Sequence, residues 1–332
     1  MNIPETLRVH LATDPSESGD YRLDRERFEA AGEAFPETFR RLRPTYSDDE
    51  ASFVRGVRDA DVLIGWKFPR PGLGERAPVL RWVQLIGAGV DHLYPLDWLP
   101  AGVKLITASG VHTKKSFEYV LMGLIALHTR LPQLAEHQRR RTWKKIQTGT
   151  LPGKTTVVIG LGAVGTGAAE AARTLGMHVL GVRRTARPHR FVDELFGPAD
   201  LPKILPGADY VVLAAPLTSD TREILGEEEL ALLPHGAGIV NLGRGRLIAQ
   251  AALEAGLRSG RIGGAFLDVV WPEPHPPGST LWDAPNLFIT PHVGADDITN
   301  YVPEVFRIAL GNMTRFFAGQ RMRNVVNRRR GY

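Results

Sequence analysis

Three polar residues in the second half of the chain have types that could work together. Arg244 lies in Asn241-Leu-Gly-Arg-Gly245, Glu273 in the run Asp268-Val-Val-Trp-Pro-Glu-Pro274, and His292 in Thr290-Pro-His-Val-Gly294. An imidazole can give up a proton near neutral pH. A carboxylate beside it raises its pKa and fixes the ring orientation. A guanidinium binds a carboxylate through paired hydrogen bonds and polarises a neighbouring carbonyl oxygen. Such a set suits reduction of a carbonyl that stands next to a carboxylate, with a separate hydride donor. Taken singly, each residue has a plain alternative: a surface ion pair for Arg244, a loop cap for Glu273, a core position for His292. The joint reading gains weight because each follows a predicted strand, and ligands of open α/β sheets bind beyond the strand C-termini.

A hydride donor has a visible place. Gly160-Leu-Gly162-Ala163-Val164-Gly165 is a G-x-G-x-x-G motif. A match of this kind is weak alone, but the strand Lys154–Gly160 precedes it and a predicted helix, Thr166–Leu175, follows, which is the context a dinucleotide requires. Gly160 permits the tight turn, Gly162 lets backbone approach a pyrophosphate at the helix N-terminus, and Gly165 lets helix and strand pack closely. The next strand, His178–Val182, ends in Arg183-Arg184-Thr185, with Arg187 beyond. An NAD enzyme would carry Asp or Glu there for the ribose hydroxyls. Guanidinium groups instead suit a 2′-phosphate, so NADP (NADPH) is the expected cofactor. The alternative is a solvated basic loop that accepts NAD as well.

The elements that must position these groups fall into two series. Predicted strands Leu7–Leu11, Asp61–Gly65, Leu80–Ile86 and Val103–Thr107 alternate with helical stretches, as in a parallel α/β sheet. A helix is expected over Ser116–Thr129; Pro132 interrupts it, and Leu134–Lys145 continues as a polar, basic helix or arm. The second series adds strands at His178–Val182, Tyr210–Ala214, Gly238–Asn241, Gly264–Asp268 and Leu287–Thr290, the order of a doubly wound nucleotide-binding domain. Val302, Val305, Phe306, Ala309, Leu310, Met313, Phe316 and Phe317 mark an amphipathic helix over Tyr301–Gly319 that can pack back on the first series.

Composition narrows the class. The 332 residues exceed one ordinary core, and 43% hydrophobic content is that of a globular protein. No apolar run reaches the roughly 18 residues of a membrane span. The first fifteen residues do not read as a secretory signal, and a cytoplasmic setting is expected. With no cysteine, disulfides, thiolate metal sites and cysteine nucleophiles are excluded. The net charge of +5, densest at Arg139–Arg141 and Arg328–Arg330, reads as solvated helix face and tail. No nucleic-acid surface is expected, and the histidines show no metal-ligand spacing.

The chain resembles the D-isomer-specific 2-hydroxyacid dehydrogenases, a family that includes glyoxylate/hydroxypyruvate reductases and D-lactate and D-phosphoglycerate dehydrogenases. The likeness runs from about Val79 to Gly319. Besides the motifs quoted, it rests on Leu85-Ile-Gly-Ala-Gly-Val-Asp-His92, on Ala215-Pro-Leu-Thr218 with Thr221, and on Pro285-Asn286. It implies two Rossmann-like, doubly wound parallel-sheet domains with the active site in the cleft between them. A discontinuous substrate domain, 1–109 with 299–332, would enclose a dinucleotide-binding domain, 110–298, whose arm at about 116–150 would form a homodimer. Arg244 would hold the substrate carboxylate and keto oxygen, His292 would be the general acid and Glu273 its partner. Ala88, Gly89 and Val90 would grip the carboxylate with backbone amides. The cofactor would be held by Gly160, Gly162, Ala163, Val164, Gly165, Arg183, Arg184 and Thr185, and by Ala215, Pro216, Thr221, Leu242 and Gly243. Asp268 would contact the nicotinamide amide, and His292 and Gly294 would line its site.

The expected reaction is NADPH-dependent reduction of a small 2-keto acid, of the glyoxylate or hydroxypyruvate kind, to the D-2-hydroxy acid. A bulkier branched 2-keto acid is the enzymatic alternative, and a dinucleotide-sensing scaffold the non-enzymatic one. Trp66, after the second predicted strand, either sets substrate size or packs on the sheet edge. Trp143 lies on the arm. Phe117 stands where relatives carry a small residue.

Overall fold

The strand Leu7–Ala12 (β1) is buried at every position but Arg8, as expected of a strand covered on both faces of a parallel sheet. In the computed structural model, which describes residues 3–14, 16, 19–185 and 187–329, β1 lies inside a five-stranded sheet. Residues 1, 2 and 15 of the N-terminal segment and Arg330 of the C-terminal arginine cluster lie outside the described residues. The chain divides into two compact units, Met1–Val111 with Asp297–Tyr332, and His112–Asp296.

In the first unit Leu42–Ser47 (β2), Val62–Gly65 (β3), Trp82–Leu85 (β4) and Lys104–Ile106 (β5) join β1 in the order β2-β1-β3-β4-β5, with every pairing parallel. This is one of the two common doubly wound orders. The C-terminal helix Tyr301–Phe317 completes its core. Val302, Val305, Phe306, Ala309, Leu310 and Met313 pack with Leu7, Val9, Trp82 and Ile106. Buried His10 on β1 is satisfied by two hydroxyls of β2, Thr45 Oγ1 and Ser47 Oγ, each 2.9 Å from a ring nitrogen, and burial pushes its pKa down to about 4.

The second unit carries Thr155–Ile159 (β6), His178–Val182 (β7), Glu194–Phe196 (β8), Tyr210–Leu213 (β9), Ala237–Asn241 (β10), Ile262–Leu267 (β11) and Leu287–Ile289 (β12). Their order is β12-β11-β10-β9-β6-β7-β8, all parallel. The order reverses between β6 and β9, which is the point where open α/β sheets bind ligands. The helices Thr113–His128 and Ala163–Thr174 pack together closely. A Cβ at Gly167 would stand 2.4 Å from Thr113 O and 2.5 Å from Ser116 Oγ.

Several boundaries differ from the sequence expectation. Strands β2 and β8 were not expected. Both form sheet edges: β2 carries Pro44, and β8 has three residues. Pro132 does not break a helix. It sits in the first turn of a new one, Leu131–Arg139, where the missing N–H costs nothing. The break is made by Arg130, whose φ of 57° lies in the left-handed region. That second helix ends at Arg139 instead of continuing to Lys145. The helix after the glycine motif begins at Ala163, three residues before the expected start. No described helix is long and apolar enough to cross a membrane.

Candidate active site

The turn after β6 is shaped by close backbone approach. Gly160 has φ +95°, and a Cβ there would lie 2.6 Å from both N and Cα of Ala215. A Cβ at Gly165 would strike the Gly160 carbonyl oxygen at 1.7 Å. Gly162 differs: its Cβ position has nothing within 4 Å. Packing therefore explains two glycines, while the third keeps backbone uncovered at the N-terminus of helix Ala163–Thr174. The first-turn amides there, including those of Ala163 and Val164, have no intrahelical acceptor and suit an anion. Ala215 and Gly243 close the other side of the turn, since a Cβ at Gly243 would stand 2.9 Å from Ala215 O. Leu242 N donates to Leu213 O at 3.0 Å. Thr221 Oγ1 donates to Pro216 O at 2.6 Å and accepts from Thr218 N at 2.8 Å, which fixes the loop after β9. At the end of β7, Arg183 N donates to Phe196 O at 3.0 Å. The Arg183 residue is half-buried, and Arg184 and Thr185 are exposed. This donor set fits a dinucleotide with a phosphorylated ribose.

Arg244, Glu273 and His292 follow the neighbouring strands β10, β11 and β12. Buried Asn241, the last residue of β10, shapes the first loop: its Nδ2 donates to Arg244 O at 3.0 Å and its Oδ1 accepts from Gly243 N at 3.0 Å. Arg244 Nη1 donates to Gly243 O at 2.8 Å. Gly245 is required by the next loop, because a Cβ there would meet the Val270 carbonyl at 2.2 Å.

His292 Nδ1 lies 2.8 Å from Glu273 Oε2. A carboxylate accepts, so Nδ1 carries the hydrogen and Nε2 is left to hold or release a proton. Glu273 Oε1 accepts from Val270 N at 3.2 Å. The hydrogen bond to Glu273 raises the His292 pKa, with burial and the Arg244 charge opposing it. Burial pushes Glu273 up, but the hydrogen bond and charge of His292 outweigh it, and the carboxyl stays below its ordinary range. The Arg244 charge acts on both groups, so the structure brings all three residues within electrostatic reach of one another.

His292 has φ +56°, a conformation sparsely populated by residues with side chains. Asp268, just past β11 and buried, holds it. Its Oδ1 accepts from Val293 N and Gly294 N at 2.9 Å each and from Thr290 Oγ1 at 2.7 Å, while its carbonyl accepts from His292 N at 2.9 Å. Thr290 spends its hydroxyl hydrogen on Asp268, so Tyr119 OH, in hydrogen-bond contact with Thr290 Oγ1, must be the donor to it. The Tyr119 ring also fills the space over Gly294, where a Cβ would lie 2.6 Å away. His112 adds another tie: its Nδ1 donates to Ala295 O at 2.8 Å.

Sequence reasoning missed Asn241, Tyr119, Thr290 and His112 as organisers of these loops. Asn241 and Thr290 were within the quoted motifs, and their positions just before Arg244 and His292 were the available signal. Nothing in the local sequence marked Tyr119 or His112.

Ala88, Gly89 and Val90 belong to the first unit, in the loop between β4 and a short 3-10 turn at Asp91–Leu93. Gly87 before them packs under Trp66, whose ring a Cβ would meet at 2.4 Å, and Trp66 also touches His92 with centroids 4.6 Å apart. Trp271 is exposed beneath Arg246, whose guanidinium carbon is 4.7 Å from its centroid. Among the described residues no group of three or more acidic, His or Cys side chains is placed to hold a metal.

Residues 121–294 match the sequence profile of the D-isomer specific 2-hydroxyacid dehydrogenase, NAD binding domain. The chain is 31% identical to a glycerate dehydrogenase of Methylorubrum extorquens over 82% of its own length and 87% of that protein. Its structure resembles a D-isomer specific 2-hydroxyacid dehydrogenase from Xanthobacter autotrophicus Py2, crystallised with NADPH and MES, with TM-score 0.82 and 30% identity over 98% of this chain and 100% of the other. It also resembles an NADPH-dependent glyoxylate/hydroxypyruvate reductase from Sinorhizobium meliloti in complex with NADP and sulfate, with TM-score 0.81 and 29% identity over 98% and 100% of the two chains.

Proposed function

Because the chain belongs to the D-isomer-specific 2-hydroxyacid dehydrogenase family, we propose that it reduces a small 2-keto acid of the glyoxylate or hydroxypyruvate class to the D-2-hydroxy acid with NADPH. The observation that carries this reading is the 2.8 Å hydrogen bond between His292 Nδ1 and Glu273 Oε2 beside the Arg244 charge. Bound NADPH supplies the hydride. Arg244 holds the substrate carboxylate and polarises the keto oxygen. His292 Nε2 gives the keto oxygen its proton, and Glu273 stabilises the imidazolium beforehand and fixes the ring. Gly162, Ala163, Val164 and Gly165 receive the pyrophosphate. Arg183 and Arg184 pair with the 2′-phosphate, and Asp268 and Gly294 border the nicotinamide.

The NADPH-bound and NADP-bound structural relatives and the arginines after β7 support the cofactor choice. A homodimer through the segment 116–150 belongs to the same reading. It is supported by exposed Met122, Ile125, Leu131 and Trp143 along that segment.

The test is NADPH oxidation over a panel of 2-keto acids, with glyoxylate and hydroxypyruvate expected to turn over best. Tight NADPH binding with no turnover of any keto acid would overturn the enzymatic reading. A branched substrate outpacing both would move the substrate class.

A further inference from the structure

His189, downstream of β7, meets the first helical turn after the glycine motif. Its Nε2 lies 3.0 Å from Thr166 Oγ1, and Thr166 Oγ1 gives its own hydrogen to the Gly162 carbonyl at 2.8 Å. Thr166 must therefore accept, so His189 Nε2 carries a hydrogen. The Phe191 amide donates weakly to Nδ1 at 3.4 Å, which makes Nδ1 the bare nitrogen of a neutral ring. The half-buried ring faces cations. Arg183 stands at the end of β7. Arg190 lies over the Phe191 ring, its guanidinium carbon 4.2 Å from the centroid. The helix side offers the uncharged Thr166 and the Gly162 carbonyl. Burial, then the charges of Arg183 and Arg190, hold the His189 pKa below the ordinary histidine value.

We propose that His189 is a third, titratable member of the 2′-phosphate reader made by Arg183 and Arg184, and that it makes the preference for NADPH over NADH depend on pH. The inference rests on the NADP reading of those arginines. A bound phosphate reverses the sign of the field around the ring and favours the imidazolium. The proton comes from solvent and adds at Nδ1. That atom changes from acceptor to donor and gives up only the long Phe191 contact, while Nε2–H stays on Thr166. NADH carries a hydroxyl in place of the phosphate and exerts no such pull.

The sign follows from linkage. The free pKa lies below the ordinary value and the phosphate-bound pKa lies above the free one, so binding takes up a proton at pH values between them. The ratio of Kd for NADH over NADPH therefore rises as pH falls through the bound pKa. Below about pH 6 the 2′-phosphate itself protonates, and the rise ends.

The experiment is calorimetric titration of the full chain with NADPH, NADH, adenosine 2′,5′-bisphosphate and 5′-AMP at several pH values, in buffers of different ionisation enthalpy. For the native chain the Kd ratio should grow about three- to tenfold as pH is lowered from about 8 to 6.5, tenfold corresponding to a one-unit rise in the His189 pKa. His189→Gln can keep a donor to Thr166 with nothing to titrate. It should bind adenosine 2′,5′-bisphosphate with less proton uptake than the native chain, flatten the ratio, and leave 5′-AMP binding unchanged. His189→Lys should raise the ratio at the alkaline end. A pH slope and proton uptake equal in the native and His189→Gln proteins would overturn the role of His189. A native chain that binds NADH as tightly as NADPH at every pH would instead overturn the reading of Arg183 and Arg184.

Discussion

At Arg244 the backbone is pinned before the side chain is used: Asn241 brackets its loop and Gly245 lets the next loop close over it. Arg244→Ala should therefore leave the fold intact and remove the carboxylate anchor, lowering kcat/KM by roughly 10²–10³-fold, about 3–4 kcal/mol of transition-state stabilisation. Steady-state assays with an unchanged thermal unfolding profile would check this; full activity would remove Arg244 from the substrate site. His292 gives a pH prediction. Its pKa is raised, chiefly by the hydrogen bond to Glu273, and reduction needs it protonated. kcat/KM for reduction should thus be level on the acid side of that raised value and fall as pH climbs through it. Glu273→Gln removes the charge that holds the proton, so the falling limb should move to lower pH. A limb that stays in place would show that another group delivers the proton.

At the scale of elements, sequence and structure agree where a motif spans a strand end. Arg244, Glu273 and His292 were legible because each lies within a few residues of the C-terminal end of a strand, and the order of strands fixes where such loops emerge. The network that holds His292 at positive φ was not legible. Tyr119 reaches Thr290 across 171 positions of sequence, and only the packing of helix Thr113–His128 over β10 and β11 brings them together. The missed strands have similar causes: β2 contains Pro44, which argues locally against a strand, and three-residue β8 gives no period to detect. His10 reads as an isolated histidine in sequence, yet the β1–β2 register sets it against Thr45 and Ser47, and helix Glu50–Val57 approaches so closely that a Cβ at Gly56 would meet its ring at 2.2 Å. Its folded pKa of about 4 lies below the unfolded value of about 6.5, so the unfolded chain binds more protons between these limits. The stability of the first unit should be full above about pH 6.5 and decline by up to about 3 kcal/mol as pH falls toward 4. Denaturant unfolding at several pH values would measure it. In His10→Leu that part of the decline should vanish, and an identical pH slope would assign the acid sensitivity to other groups.

At the scale of the whole molecule, the second unit is inserted within the first, between Val111 and Asp297, so the first unit's core is complete only when helix Tyr301–Phe317 has been made. The surface of the inserted unit has its own imbalance. Met122 and Ile125, one helical turn apart, and Leu131 on the following helix are 40–51% exposed, and Trp143 is 96% exposed. Four large apolar side chains within one short stretch of sequence are more than scattered surface residues require, and Trp is the type that contributes most to interfaces. If a second copy covers them, light scattering should give twice the chain mass across the micromolar range, and thermal stability should rise with protein concentration. Replacing Leu131 and Trp143 together by Glu puts two charges into that face. This should yield a monomer that still binds NADPH, because neither residue belongs to the glycine turn or to the arginines after β7. A native chain that stays monomeric at every concentration would leave the apolar stretch serving some other contact, and a double variant that remains dimeric would place the interface elsewhere on the chain.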